Sequence, residues 1–275
     1  MKNRWLSPII YLVCSLVGIL SLLYPFVLPQ VTTGAQSGQQ RSADMPLMLS
    51  VLLGLALIVL VYEVQGQGMS TKLIALLGVL VAINAALRFL DIAIPVPGGF
   101  SPIFFLIILT GHVYGARFGF LMGVMTLVVS AILTGGVGPW LPGQMFAAGW
   151  VGMSAPLLRP LVRRLQLEGR SEEVWILAGF GALWGLFFGV IMNLWTWPFI
   201  AGPADQYWTQ GAGIGETIRR YASYYLATSL IWDLARAAGN FLIILGFGLP
   251  ALRALRRFKR RFTFTVAQPP VTMVP

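Results

Sequence analysis

Eight long apolar segments, separated by short basic or Pro/Gly-rich stretches, constrain the fold of this chain more than any other feature. They cover residues 8–28, 46–62, 73–90, 102–114, 118–133, 144–162, 174–200 and 222–249. One membrane helix needs roughly 20 apolar residues. Only 10% of the 275 residues are charged, against about 25% in an ordinary soluble domain. The sequence therefore predicts an all-α membrane protein, a compact bundle of about eight transmembrane helices.

The least obvious division lies in the stretch 102–136, which is nearly all apolar. As one helix it would be about 50 Å long at 1.5 Å per residue, too long for a single crossing of a roughly 30 Å hydrocarbon core. Gly115 and Gly119 flank Arg117, so two flexible positions surround a side chain that can reach the headgroups. We therefore expect two short spans that meet at a tight turn.

The basic residues predict the orientation of the bundle. If crossings alternate, one side holds Lys2, Arg4, Lys72, Arg117, Arg159, Arg163, Arg164, Arg170 and the C-terminal tail RALRRFKRRF that begins at Arg253. The positive-inside rule makes this side cytoplasmic. We therefore expect both termini in the cytoplasm, a bacterial plasma (inner) membrane location and no nucleic-acid partner, although the net charge is +10. The tail is expected to interact with anionic lipid as a topology anchor.

The first apolar segment admits two interpretations. Lys2 and Arg4 precede it, and Thr33 and Ala35 follow it, as in a cleavable signal peptide. Its length exceeds the usual h-region of about 7–15 residues and suffices to span a bilayer, so we expect a retained first helix. The only cysteine, Cys14, lies inside it, and we interpret this residue as a small buried hydrophobe.

Asp233 and Arg236 are the ionisable pair of the last apolar segment. Residues three apart project from nearly the same helix face and can neutralise each other. Ionisable residues inside a membrane are candidate functional residues, and this pair is expected in the outer half of the bilayer. An internal clamp that only fixes helix packing, with Asn240 below it, is the equally open alternative.

Asn193 lies in an otherwise apolar and aromatic segment and is followed by Trp195 and Trp197. An amide beside aromatic faces suits a flat, partly polar ligand, although tryptophans at a membrane interface also occur without any ligand. Two Pro/Gly-rich stretches are expected on the same outer side. IPVPGGFSP covers 94–102, and GGVGPWLPGQM begins at Gly135.

Catalytic motifs are absent from the sequence. His112 is the only histidine, and no HExxH, GxSxG, P-loop or paired-carboxylate spacing occurs. We therefore predict no catalytic residue, no metal site and no cofactor, and we interpret His112 as structural.

Several sequence blocks together carry a family resemblance. They are Arg88, PGGFSP from Pro97, the glycines Gly111, Gly115, Gly119 and Gly123, GPWLPGQM from Gly138, GVIMNLWT from Gly189, and IWDLARAAGN from Ile231. With these blocks the chain resembles, over residues 73–262, the S components of energy-coupling factor (ECF) transporters. The GPW block followed by a polar glutamine is most similar to the cobalamin-type S components.

The resemblance implies a six-helix substrate-binding core at 71–262, which a two-helix extension at 1–70 precedes and a cytoplasmic tail at 263–275 follows. It implies a subunit without catalytic activity that captures a vitamin-like molecule from outside. Its partners would be a transmembrane coupling subunit and two cytoplasmic ATPases. The candidate substrate-binding residues are Asn193, Asp233, Arg88, Trp140, Gln144, Trp195 and Arg236.

Ala82 and Ala86 have the small-xxx-small spacing with which such S components dock against the coupling subunit, although internal helix packing explains this spacing equally well. Two rival functions stay open. One is a membrane-embedded enzyme on lipid or isoprenoid substrates that uses Asp91, Asp233 or His112. The other is a structural or assembly protein of the membrane.

Overall fold

The computed structural model describes residues 6–27, 51, 54–55, 69–93, 101–138, 140–199, 203–209 and 211–262. The regular elements in these ranges are all helical. They are α1 (Leu6–Val27), α2 (Thr71–Ala93), α3 (Ile103–Tyr114), α4 (Ala116–Thr134), α5 (Leu141–Ser154), α6 (Arg159–Arg164), α7 (Ser171–Thr196), α8 (Ile214–Thr228) and α9 (Leu230–Phe262), with 3₁₀ turns at Ala155–Leu158 and Trp197–Phe199.

The helices have the length and composition of membrane spans. Five segments in the described ranges are long and apolar enough to cross a bilayer: Thr71–Phe89, Ala116–Thr134, Leu141–Arg164, Ser171–Leu194 and Leu230–Arg261. Ile9–Leu20 and Ile103–Tyr114 are shorter apolar helices. The prediction of an all-α membrane bundle is confirmed, and the protein is a multi-pass membrane protein. The expected second span at 46–62 lies outside the described residues except for 51 and 54–55.

The predicted tight turn after α3 is confirmed. α3 ends at Tyr114, α4 begins at Ala116, and Gly115 between them has φ 114° and ψ 174°. Only glycine adopts this backbone conformation without steric cost. The apolar stretch therefore divides into two helices that pack against each other.

α3 is the central helix of the bundle. All its residues from Ile103 to Val113 are buried, and it packs against α2, α4, α5, α7 and α9. Its 12 residues give a length of about 18 Å at 1.5 Å per residue. α3 therefore forms the interior of the bundle, and the longer helices around it provide the lipid-facing surface.

Glycines bring the backbones of α3, α4 and α5 together. A Cβ atom at Gly111 or at Gly119 would overlap the carbonyl oxygen of Gly152 on α5, and one at Gly123 would overlap that of Ala148. Small residues of this kind allow close helix approach within membranes. Three of the glycines that support the family resemblance thus have a packing role.

The expected last span at 222–249 is wrong in its start. Ser229 (φ −127°, ψ −25°) interrupts the helix, so α8 ends at Thr228 and α9 begins at Leu230. The Thr228 hydroxyl donates a hydrogen bond to the Tyr224 carbonyl oxygen at 2.7 Å, a type of bond that often accompanies a bend in a helix. The expected connection 201–221 accordingly contains half of α8, and α9 extends to Phe262.

α1 packs into the same bundle against α5 and α7. The Tyr11 ring meets the Phe120 ring edge-on at 5.4 Å, and Trp150 donates from Nε1 to the Ser15 hydroxyl at 3.2 Å. Cys14 is 1% exposed, in agreement with its interpretation as a buried hydrophobe.

The bundle has two chemically different ends. Arg159 donates from Nε to the His112 carbonyl oxygen, and Lys259 donates to the next one, at Val113. These contacts join the C-terminal ends of α3 and α9 to the start of α6, and we call this the basic end. The C-terminal end of α7 and the first turns of α5 and α9 lie at the opposite end, which we call the loop end.

Candidate functional site

A glycine face on α7 positions α9 at the loop end. Gly181, Gly185 and Gly189 recur every four residues and all face α9. A Cβ atom at Gly185 would lie 2.7 Å from Ala237 Cα, and one at Gly189 would overlap the Asp233 carboxylate. Because these positions carry no side chain, the Asp233 carboxylate lies directly against the α7 backbone.

Asp233 and Arg236 form an ion pair within α9, as their spacing predicts. Asp233 is 2% exposed. Arg236 Nη1 also donates to the Gly185 carbonyl oxygen at 3.4 Å, and its guanidinium lies over the Phe188 ring at 5.5 Å from the centroid. The pair neutralises a carboxylate that would be costly if it were buried alone.

Three buried polar atoms along the α7–α9 contact lack a hydrogen-bond partner within the described ranges: Oδ2 of Asp233, Nδ2 of Asn193 and, nearer the basic end, Oδ1 of Asn240. Asn193 follows Gly189 by one helical turn, so both positions share the face of α7 that carries the glycines. An unpaired buried polar group costs about 1–3 kcal/mol. The carboxylate oxygen can accept a hydrogen bond and the amide can donate one, so the site presents complementary groups to a polar molecule.

Arg88 and Gln144 form a second polar group at the loop end. Arg88 Nη2 lies 3.5 Å from Gln144 Oε1, which joins α2 to the first turn of α5. Trp140, immediately before α5, is 45% exposed, and its Nε1 donates to the Gly136 carbonyl oxygen at 3.3 Å. A Cβ atom at Gly138 would overlap the Trp140 ring, so the Trp140 side chain lies against Gly138.

Gln144 of the second group and Asn193 of the first lie on neighbouring helices, α5 and α7. A Cβ atom at Gly143 on α5 would lie 3.4 Å from Cε of Met192 on α7, and these residues adjoin Gln144 and Asn193. The structure thus places these candidate residues at one end of the bundle. The Trp195 side chain and residues 94–100 of the first Pro/Gly segment lie outside the described residues.

An aromatic cluster at the loop end was not predicted from the sequence. Trp197 is 1% exposed and donates from Nε1 to the Gln206 carbonyl oxygen at 2.8 Å. The Tyr221 ring meets it edge-on at 5.1 Å, and the Tyr221 hydroxyl donates to the Val190 carbonyl oxygen at 2.7 Å. The three-and-four spacing of Tyr221, Tyr224 and Tyr225 was the available signal. α8 is therefore attached to the end of α7 next to Asn193.

α8 also holds the preceding loop through an exposed ionic group. Glu216 accepts hydrogen bonds from Arg219 and Arg220, and these bonds lower the pKa of Glu216 below its usual value. Arg220 Nη1 donates to the Ala204 carbonyl oxygen at 2.7 Å, and its guanidinium lies 5.6 Å from the Tyr207 ring centroid.

His112 belongs to a different group of residues, at the basic end. Its Nε2 lies 2.8 Å from Oε1 of Glu173, which also pairs with Arg256. Arg256 follows Asp233 by 23 positions on α9, a separation of about 35 Å along the helix at 1.5 Å per residue. His112 and Asp233 therefore lie at opposite ends of the bundle and do not share one site. The Asp91 side chain lies outside the described residues.

Ala82 and Ala86 are exposed on α2. Ala82 lines a shallow groove with Gly78 and Val81 of α2 and Met125 and Val129 of α4. Within the described part of the chain, therefore, the two alanines do not take part in close internal packing.

Comparison with known proteins identifies the family. The family model described as "ECF transporter, substrate-specific component" matches residues 72–247, which is about two thirds of the chain and begins one residue before the resemblance expected from the sequence. Searches of curated proteins and of solved structures gave no match. The chain belongs to the family of substrate-specific components of ECF transporters.

Proposed function

We propose that this protein captures a vitamin-like small molecule from outside the cell, as the substrate-specific membrane subunit of an ECF-type importer. The substrate that we propose first is cobalamin or a related corrinoid, because GPWLPGQM from Gly138 resembles the cobalamin-type segment. A coupling membrane subunit and two cytoplasmic ATPases would supply the energy. The family is one of transporter substrate-binding subunits, so binding rather than catalysis is the activity of this chain.

The proposed site is supported by two buried polar atoms near the loop end, Asn193 Nδ2 and Asp233 Oδ2, which lack a hydrogen-bond partner among the described residues. Tyr225 of α8 also contacts the Asp233 carboxylate through a hydrogen bond. Binding sites for small molecules combine apolar walls with a few convergent polar groups. A ligand with one acceptor and one donor would satisfy both atoms and would recover the free energy that their isolation costs. Arg236 would hold the carboxylate in place, and Arg88, Gln144, Trp140 and Trp195 would complete the lining.

The proposed orientation puts the basic end in the cytoplasm of a bacterium and the loop end outside. It is supported by Arg159, Arg256 and Lys259, which lie at one end of the bundle, because cationic residues are retained on the cytoplasmic side. Both chain termini would then be cytoplasmic, and the site would open outward.

The proposed docking surface for the coupling subunit is the exposed small-residue face of α2 around Ala82 and Ala86, since small residues four apart allow close helix contact. In this proposal residues 71–262 form the substrate-binding core, 1–70 an N-terminal extension, and 263–275 a cytoplasmic tail.

Calorimetric titration of the purified protein in detergent with cobalamin tests the site. We expect Asn193→Ala and Asp233→Asn each to weaken binding about tenfold or more, since one hydrogen bond to a charged or buried group is worth about 1.5–3 kcal/mol. The matched control is Asn240→Ala. Asn240 is also a buried asparagine at the α7–α9 contact, and it donates to the Gly181 carbonyl oxygen at 3.2 Å.

Asn240→Ala should lower the melting temperature without changing affinity. Size-exclusion profiles establish that all variants are folded. Thiamine, riboflavin and biotin are titrated in parallel. Binding of one of these instead of cobalamin would change the proposed substrate but would leave the proposed site as it is. Unchanged affinity in both Asn193→Ala and Asp233→Asn would refute the site itself.

A further inference from the structure

Helix α1 has one buried and one exposed face. The residues of the buried face follow the three-and-four spacing of a helix and are Tyr11, Cys14, Gly18 and Leu22. The exposed face is apolar and includes Leu12, Leu16 and Leu20. A Cβ atom at Gly18 would overlap the Phe146 ring on α5. α1 therefore lies directly on the bundle and presents its outer leucines to lipid.

The C-terminal part of α1 lies at the loop end, beside the proposed substrate site. Leu22 is 7% exposed. A Cβ atom at Gly143 on α5 would lie 3.4 Å from Cε of Met192 on α7 and 3.5 Å from Cδ2 of Leu22. Leu22 and Met192 thus both occupy the space that Gly143 leaves open. Since Gly143 precedes Gln144 and Met192 precedes Asn193, Leu22 lies at the helix contact that brings these two candidate residues together.

Phe26 extends the same contact by one helical turn. Its ring centroid lies 6.2 Å from that of Trp197 and 5.9 Å from that of Trp208. Both distances lie within the range of about 4.5–7 Å in which aromatic rings attract each other. Trp197 in turn contacts the Tyr221 ring. Through Phe26, α1 is therefore joined to the aromatic cluster next to Asn193.

α1 lies outside the part of the chain that the family model matches. The match begins at residue 72, and α1 ends at Val27. The polar candidates for the substrate site lie inside the match and are Arg88, Gln144, Asn193, Asp233 and Arg236. Small-molecule sites combine such polar groups with predominantly apolar walls. Leu22 and Phe26 supply apolar surface at this site from a helix that the family model does not include.

We propose that α1 forms an apolar wall of the substrate site, and that Leu22 and Phe26 contact the apolar part of a vitamin-like substrate. The inference rests on the proposed function, because it requires a substrate at Asn193 and Asp233. The polar groups orient the substrate, while α1 separates it from lipid and limits its shape. A role in substrate binding is thereby assigned to part of the N-terminal extension.

The test is calorimetric titration of the full-length protein in detergent with cobalamin, thiamine, riboflavin and biotin. The test variants are Leu22→Ala and Phe26→Ala, and Leu22→Met is the variant that conserves volume. The matched control is Ile10→Ala. Ile10 also packs against the core, but it lies about 18 Å before Leu22 along the helix at 1.5 Å per residue. Size exclusion and thermal unfolding establish the folding and stability of each variant.

We expect Leu22→Ala and Phe26→Ala each to weaken binding of the vitamin that the wild type binds by about fivefold or more, because each removes several apolar groups from the contact. Leu22→Met should restore the affinity to within about twofold of the wild type. Ile10→Ala should lower the melting temperature and leave the affinity unchanged. If Leu22→Ala does not fold, Phe26→Ala decides the test, since the Phe26 side chain is only half-buried.

The outcomes separate this inference from the proposed function. A wild-type protein that binds none of the four vitamins would contradict the proposed function and the wall together. Binding that Asn193→Ala weakens but Leu22→Ala and Phe26→Ala leave unchanged would overturn the wall alone. An equal loss of affinity in Ile10→Ala and Leu22→Ala would also overturn it, because α1 would then act only through the stability of the bundle.

Discussion

The glycine face of α7 gives a quantitative prediction about how the loop end is held together. In Gly185→Ala the new Cβ would lie 2.7 Å from Ala237 Cα and 2.8 Å from Ala237 N, where ordinary contact is 3.4–4 Å. The obstructing atoms are backbone, so no rotamer change relieves the overlap. α9 must move away from α7 by about 1 Å or the chain must strain, and such overpacking costs about 1–3 kcal/mol.

Gly179→Ala is the matched control, since Gly179 lies on the same helix and a Cβ there would meet nothing within 4 Å. Both substitutions gain the same helix propensity, up to about 1 kcal/mol. The difference between the two variants therefore isolates the packing cost. At roughly 2–4 °C per kcal/mol for a chain of this size, Gly185→Ala should melt about 2–12 °C below Gly179→Ala.

The assay is thermal unfolding in detergent, followed by intrinsic tryptophan fluorescence. Gly185 also accepts the 3.4 Å hydrogen bond from Arg236, so the displacement should reach the Asp233–Arg236 pair and weaken ligand binding in Gly185→Ala alone. Equal melting temperatures in the two variants would refute the close contact between α7 and α9.

Three further predictions concern other contacts. Gly119→Ala should lower the melting temperature by several degrees, because its Cβ would overlap the Gly152 backbone. The control Gly246→Ala should not lower it, because a Cβ there meets nothing within 4 Å. Equal melting temperatures of the two variants would contradict the packing of α4 on α5. Asn84→Ala should cost about 1–3 kcal/mol, measured by the same unfolding assay, since its buried amide donates to Ile103 O and to a threonine hydroxyl, both at 3.1 Å. Ala82→Leu should leave ligand affinity unchanged but reduce copurification with the coupling subunit, and unaltered copurification would count against the docking surface.

The sequence predicts the helical membrane fold because apolar length and charge placement are local signals. The helix break at Gly115 could also be predicted from the sequence, since an apolar helix of about 50 Å is longer than the hydrocarbon core of a bilayer. The end of α8 at Thr228 could not be predicted, because apolar composition continues across Ser229 and neither Pro nor Gly occurs at the interruption.

Only part of the candidate site can be predicted from the sequence. The three-residue spacing of Asp233 and Arg236 predicts their pairing, and an amide within an apolar span marks Asn193. The grouping of Arg88 with Gln144, 56 positions apart, depends on how α2 and α5 pack. Glu173 on α7 likewise contacts His112 on α3 and Arg256 on α9. No sequence pattern links these three positions, so their contact could not be predicted.

Capture of a vitamin-like molecule at the site that contains Asn193 is tested most directly by mass spectrometry. The measurement compares the small molecules that remain bound to the wild-type protein and to Asn193→Ala after mild purification. We expect one vitamin-like compound, cobalamin or a related corrinoid first, at near-stoichiometric amount in the wild type and strongly depleted in the variant. A wild-type protein that retains no such compound and binds none of the vitamins on titration would contradict it.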